Sequence, residues 1–274
     1  MAEKALSTRR EGATATGAQA LNFWLGTHET GWLSRTAVPL FISRRRLDRL
    51  NQLPRAIGPW ALDSGGFSEL LLFGKWTMTA TDYAQRVRRY RDVIGGLAWA
   101  APQDWMCEAG MLAKTGLKIA DHQRLTLDNY LELRGLAPDL PIVPVLQGWT
   151  LDDYLRHADA YQRAGVQLDR GELVGVGTLC RRQHTATACT ILQRLAGLGL
   201  KLHGFGVKMQ GLDAGGQYLA SADSLAWSFQ ARCKRLRLPG CSHRTCSSCL
   251  RWALQWRERV LDRIRQPQQP FLFA

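Results

Sequence analysis

Asp63-Ser64-Gly65-Gly66-Phe67 follows directly on a short apolar run, Trp60-Ala61-Leu62. In strand–helix proteins, side chains at the carboxyl end of a strand project into the crevice or barrel mouth where ligands bind. Paired glycines let the backbone take positive φ there and come close to a ligand with no Cβ in the way. The plainer alternative is that Asp63 braces a tight turn. Other apolar runs end in the same manner, at His28, Asp104, Gln147-Gly148, Gly177 and Asp223. Asp accepts hydrogen bonds, Gln donates and accepts, and glycine exposes its backbone N–H. Converging on one pocket, such groups would hydrogen-bond an amide-like heterocycle along its whole edge, and a guanine-type base has that edge. Trp105 and Trp149 flank two of these positions and offer flat faces for stacking. Against this stands the reading that some of the acids only cap the helices that follow them.

A second cluster is purely local. Cys241, His243, Cys246 and Cys249 place three thiols and an imidazole within nine residues. Three thiolates and one imidazole form a closed tetrahedral set for Zn²⁺, with no vacancy for a catalytic water. Cys233 is the rival for the fourth ligand position. The chain has seven cysteines, an odd number, and their crowding favours metal over disulfides.

Positioning these groups calls for strands whose ends share a face. The apolar runs Leu21–Gly26, Val38–Ser43, Trp60–Asp63, Leu97–Asp104, Ile142–Gln147, Leu173–Gly177, Leu202–Val207 and Leu219–Trp227 alternate with segments of helical period. Several are apolar at nearly every position, as in a parallel sheet covered on both faces. Helices are expected from Thr81 to Val93, Leu117 to Leu136, Thr150 to Ala164, Thr185 to Ala196 and Ser247 to Ile264. About eight strands in about 250 residues match an α/β fold of the (β/α)₈ TIM-barrel type. The metal motif would form a C-terminal insertion and the last helix would close the barrel; a doubly wound open sheet is the alternative. The stretch from Ser43 to Trp60 is short for a full crossover helix, which makes the barrel irregular there. Residues 1–20 are expected to be a disordered leader, 21–265 a single domain that includes the metal motif at 241–249, and 266–274 a loose tail.

The 274 residues carry 36 Lys and Arg against 23 Asp and Glu, a formal charge of +13. Arginines cluster at 44–46, 86–91, 181–182, 235–237 and 251–265, the footprint of a polyanion binder. No run is long and apolar enough for a membrane span, and the reading is a soluble, cytoplasmic protein. Neither a Walker loop nor a Gly-x-Gly-x-x-Gly turn is present, so nucleotide triphosphate and dinucleotide chemistry have no motif here.

In order along the chain, Asp63-Ser-Gly-Gly-Phe67, Asp104, Val145-Leu-Gln147-Gly148, Gly175-Val-Gly177, Gly206-Val207 and Asp223, followed by the cysteine motif, resemble the tRNA-guanine transglycosylase superfamily. Phe23-Trp-Leu-Gly-Thr-His28, Pro39-Leu-Phe-Ile-Ser43, Ala101-Pro-Gln-Asp104 and Ser221-Ala-Asp223-Ser-Leu-Ala-Trp227 are closer to its DNA-modifying branch, the DpdA-like deazapurine-in-DNA proteins. The resemblance spans about residues 21–259. It implies a zinc-containing (β/α)₈ barrel that replaces guanine in nucleic acid by a 7-deazaguanine, such as 7-cyano-7-deazaguanine. It implies Asp223 as nucleophile and Asp63 as general acid/base. Asp104, Gln147 and the Gly177 backbone become the base-recognition set, beside Ser64, Gly65, Gly66, Phe67, Gly148 and His28. The family's usual Cys-x-Cys-x-x-Cys with a distant His is replaced here by Cys241-x-His243-x-x-Cys246-x-x-Cys249, so His243 enters from its place in the cluster. DNA is the expected partner, with the free deazaguanine base and the partner proteins of a DNA-modification system. The alternatives are the same exchange on tRNA, a non-catalytic nucleic-acid-binding paralogue, and a retaining glycoside hydrolase using the same two carboxylates.

Overall fold

The computed structural model describes residues 21–179, 182 and 185–265. The leader expected over 1–20 and the tail expected over 266–274 lie outside the described residues, as does Arg181.

Among the described residues, eight parallel strands form one sheet: β1 Asn22–Thr27, β2 Leu40–Ser43, β3 Trp60–Asp63, β4 Leu97–Ala100, β5 Val145–Leu146, β6 Leu173–Val176, β7 Lys201–Gly204 and β8 Ser221–Ser224. Their order across the sheet is β4-β3-β2-β1-β8-β7-β6-β5. The edge strands approach each other ahead of β5. Ala100 and Ile142 form an isolated parallel bridge, where the Ala100 N–H donates to Pro141 and the Ala100 carbonyl accepts from Val143.

Successive residues of a strand face opposite sides, so parity decides which side chains meet. Phe23 and Leu25, Leu40 and Ile42, Trp60 and Leu62, Leu202 and Ala222 point outward into the large core beneath the helices. The opposite parity gathers Trp24, Phe41, Ala61, Trp99 and Val143 into a second cluster inside the curve of the sheet. Asp63 follows Ala61 by two, and Asp223 pairs in register with Trp24. Both carboxylates therefore stand on the inner face, beside this aromatic cluster.

Helices follow the strands with chemical punctuation. Ala80–Ile94 buries Tyr83, Ala84, Val87, Tyr90 and Ile94 at three- and four-residue spacing. Its cap is Thr79, two residues ahead of the expected start, whose hydroxyl accepts the Asp82 N–H. Thr150 caps Leu151–Arg163 as expected, and Thr185, expected as the first helical residue, caps Ala186–Ala196, each worth about 1 kcal/mol of helix stability.

Several boundaries differ from expectation. The fourth strand stops at Ala100, because Pro102 cannot continue a ladder. The fifth is only Val145–Leu146, since Pro141 and Pro144 interrupt the Ile142 stretch. Short helices at Gly66–Phe73, Ala109–Thr115, Met209–Gly215 and Ala226–Cys233 have no counterpart in the helical pattern, and the last takes over Ala226-Trp227 from the expected final strand. Between β2 and β3 there is only the turn-length helix Arg44–Leu47, in keeping with the short connection.

The final helix, Leu250–Arg265, starts after a 3-10 turn at Cys246–Ser248 rather than at Ser247. Trp252, Ala253, Trp256 and Val260 are buried on its inner side. Trp252 Nε1 donates to the Trp227 carbonyl, and Trp227 Nε1 in turn donates to Gly26. This relay ties the C-terminal segment to the end of β1. Among the described residues no helix is long and apolar enough to cross a membrane.

Candidate active site and metal centre

The turn after β3 holds its acid by backbone geometry. Gly65 sits at φ +83°, a conformation that any residue with a Cβ adopts only under strain. Its N–H and the Ser43 hydroxyl at the end of β2 lie beside the Asp63 carboxyl and favour its charged form. Burial nevertheless pushes the Asp63 carboxyl above the ordinary carboxylate range, and the charge of Asp223 raises it further. Both acids stand on the inner face of the sheet, and burial biases Asp63 to keep its proton.

Asp104 completes a cluster of three carboxyls. Burial, then the charge of Asp63, lifts it to about 7. Gln147 Nε2 donates to its Oδ2 at 2.6 Å, and the Ser64 hydroxyl lies 3.4 Å from its Oδ1. The Gln147 amide is fixed at its other end by the Thr178 hydroxyl, which donates to Oε1 at 2.6 Å. Gln147 is fully buried, so this chain from Thr178 through Gln147 to Asp104 presents a rigid polar edge.

Asp223 is 5% exposed at the end of β8. Its Oδ1 accepts the Gly206 N–H at 2.9 Å, and His203 Nε2 stands 3.4 Å from the same oxygen. The loop after β7 and the strand itself thereby grip one oxygen of the carboxylate.

The metal cluster is compact. The ligand atoms of Cys241, His243, Cys246 and Cys249 all lie within 4.8 Å of one another. Cys241 Sγ is 4.0 Å from Cys249 Sγ and 3.9 Å from Cys246 Sγ. A tetrahedral ion with sulfurs at 2.3 Å requires sulfur separations of about 3.8 Å, so the donor set fits a closed four-ligand site. His243 joins this group, whereas Cys233, the rival ligand, is an exposed free thiol outside it. The cluster can hold a metal ion.

The family model for deoxypurine in DNA protein A, DpdA, matches residues 20–272, which is nearly the whole chain. The chain belongs to the DpdA family. Among curated proteins none matches it.

In this DpdA chain the expected site residues separate into three groups. Asp63, Ser64, Asp104, Gln147 and Asp223 meet at the mouth. The glycines supply space. A Cβ on Gly177 would lie 2.1 Å from Gln147 Nε2, on Gly66 3.2 Å from Asp104, and on Gly148 2.8 Å from Asp153 at a helix start. The Gly177 backbone is not the open group expected: its N–H donates to Leu146 and its carbonyl accepts the Tyr154 hydroxyl. Phe67 is exposed on the first turn of Gly66–Phe73. His28 leans towards the metal loop instead, with Nε2 2.9 Å from the Ser248 hydroxyl and its ring stacked on Trp227. Of the two tryptophans, Trp149 is exposed under the Arg182 guanidinium, and Trp105 packs edge-on against His122.

Two residues escaped the sequence reading. Arg44 looked like one of a run of surface cations, but it is 3% exposed. Its Nε donates to the Ser64 carbonyl and its Nη2 to Glu69, and it pairs with Asp48 as well. A buried guanidinium thus clamps the Asp63 turn from behind. Neighbouring Arg45 shares Glu69, and Arg86 shares Asp48, so part of the arginine excess is spent inside the fold. The other residue is His203, hidden in an apolar strand; its inward parity, shared with Asp223, is the signal that could have found it.

The raised carboxyls make stability depend on pH. A folded-state pKa lifted above the unfolded value near 3.9 favours the protonated form, so its contribution is full below about pH 4 and is lost as pH rises through about 7 for Asp104. Thermal melts should fall across that window, and Asp104→Asn should remove much of the fall, leaving it more stable than wild type near pH 8. Identical pH slopes for both proteins would contradict the assignment.

Proposed function

We propose that this protein replaces guanine in DNA by a 7-deazaguanine through a glycosyl-aspartate intermediate. The observation that carries the reading is that Asp63 and Asp223 share the inner face of the sheet and that Asp63 is raised by the charge of Asp223, beside an Asp104 held by Gln147. We read the eight-stranded sheet, joined at its edges by the Ala100–Ile142 bridge, as a (β/α)₈ barrel with these residues at its carboxyl end. Membership of a family named for deoxypurine in DNA supports DNA over tRNA.

Asp223 attacks C1′ of an extruded deoxyguanosine. The C1′–N9 bond breaks, and guanine departs with that electron pair and a proton from Asp63. The incoming base gives its N9 proton to Asp63, attacks C1′ and releases Asp223, so protons balance and two inversions retain configuration. Asp63 suits the donor role because burial and Asp223 both favour its protonated form. The Asp104–Gln147 edge hydrogen-bonds the base, and Ser64 adds a hydroxyl beside it. Extruding the guanine costs a few kcal/mol, which phosphate contacts from surface arginines offset. At the C-terminal cluster we assign Zn²⁺, held by Cys241, His243, Cys246 and Cys249, with a structural role in pinning Leu250–Arg265. Residues 21–265 then form one domain, and other proteins of a DNA-modification system would bring substrate DNA or base.

Nucleoside analysis of cells with and without the gene tests the reading. A deazaguanine deoxynucleoside is expected in the DNA fraction only when the gene is present. A deazaguanosine confined to tRNA would overturn the DNA assignment.

A further inference from the structure

We infer that His203 is a positioning residue for Asp223, supplying the second hydrogen bond that holds one carboxylate oxygen while the other attacks. This rests on the exchange chemistry proposed above for Asp223.

His203 is fully buried on the inner face of β7, pairing in register with Ser221 two residues before Asp223. Its ring cannot turn away. Trp99 stands at 4.6 Å, Phe205 at 4.7 Å and Phe41 at 5.8 Å between ring centres. Nδ1 is 2.7 Å from the Ser221 hydroxyl, whereas Nε2 is a buried nitrogen with no hydrogen-bond partner among the described residues. Leaving such an atom unpaired is costly. Asp223 Oδ1 is an acceptor 3.4 Å away, within reach of Nε2 but poorly aligned for a hydrogen bond. Bonds of this kind are often loose in the free protein and tighten once substrate is bound.

If Ser221 donates to Nδ1, the proton sits on Nε2 and faces Oδ1. Gly206 N–H already occupies that oxygen at 2.9 Å. Two donors on Oδ1 assign Oδ2 to the attack on C1′. Once the ester forms, Oδ1 is its carbonyl oxygen. As the new base displaces the ester, charge returns to the carboxylate, and the same two donors stabilise it as it leaves.

The first test needs no substrate. In ¹⁵N-histidine-labelled protein, the His203 ring should show the Nε2–H tautomer, with an Hε2 resonance that shifts in Asp223→Asn. An Nδ1–H tautomer, or an Hε2 signal indifferent to Asp223→Asn, overturns the inference. The second compares His203→Gln, which keeps a donor near the Nε2 position, with His203→Phe, which keeps only the ring. Single-turnover breakdown of the covalent DNA adduct by the incoming base should slow roughly 10- to 100-fold in the Phe variant, the loss expected for one hydrogen bond to the departing carboxylate. DNA affinity should be unchanged, and the Gln variant should recover most of the rate. Equal slowing in both variants, or none in the Phe variant, would assign His203 to packing alone. Should wild type form no adduct at all, the exchange reading fails, and the ring resonance still decides whether the His203–Asp223 pair exists.

Discussion

Asp223→Ala is expected to abolish the covalent adduct with guanine-containing DNA and to lower base exchange by at least about a thousandfold. The reason is geometric as well as chemical. Asp223 stands on the inner face of β8 with one oxygen gripped by Gly206, so no other carboxylate can take its place without rebuilding the strand. Burial pushes both Asp63 and Asp104 towards their protonated forms, which weakens them as nucleophiles. Asp63→Asn should behave differently. It keeps the shape of the side chain and can still accept from Ser43 and Gly65, so DNA binding should survive. It cannot deliver a proton, and exchange should drop by roughly 10²- to 10⁴-fold, the usual contribution of a general acid. Denaturing gels of trapped complexes, beside binding isotherms, separate the two roles. An adduct that persists undiminished in Asp223→Ala would sink the mechanism, and normal turnover in Asp63→Asn would remove it as the proton carrier.

Removing the metal should have the second largest effect, on stability rather than chemistry. Structural zinc contributes about 10–16 kcal/mol in small zinc peptides, and here the site leads straight into the helix that carries Trp252 and Trp256. Trp252 bonds Trp227, and Trp227 bonds the end of β1, so losing the metal turn loosens both the C-terminal helix and the first strand. Purified protein should carry one equivalent of zinc by elemental analysis. Cys246→Ser should lose it and lower the melting temperature by at least about 10 °C. Cys233→Ser, which alters an exposed thiol outside the cluster, should change neither. Full zinc in Cys246→Ser, or its loss in Cys233→Ser, would contradict the ligand set.

What could be read early and what could not follow from the range of the interactions involved. The metal motif was legible because its four donors lie within nine residues, and local chain geometry alone brings them together. The helix cap at Thr150 was legible for the same reason, its partner being three residues away. The short helix Gly66–Phe73 was missed because Leu71, Leu72 and Phe73 are all exposed, which breaks the one-sided pattern a surface helix is expected to show. The fourth and fifth strands were drawn too long because an apolar run was taken for a ladder through proline.

For the site, sequence by itself determined the residue types: acids, an amide and glycines at the ends of apolar runs, and a family resemblance carried by their order. Only the tertiary structure decided their partners. Arg44 and Ser64 are 20 residues apart, Asp104 and Gln147 43 apart, and Asp223 lies 3.4 Å from a histidine in the preceding strand. Buried Arg44 and exposed arginines look alike in a sequence, and so do a histidine that lines a core and one that stands beside a carboxylate. Parity and register set which face a strand side chain takes, and burial sets which protonation state it prefers. Both are properties of the assembled sheet, not of any single stretch of chain.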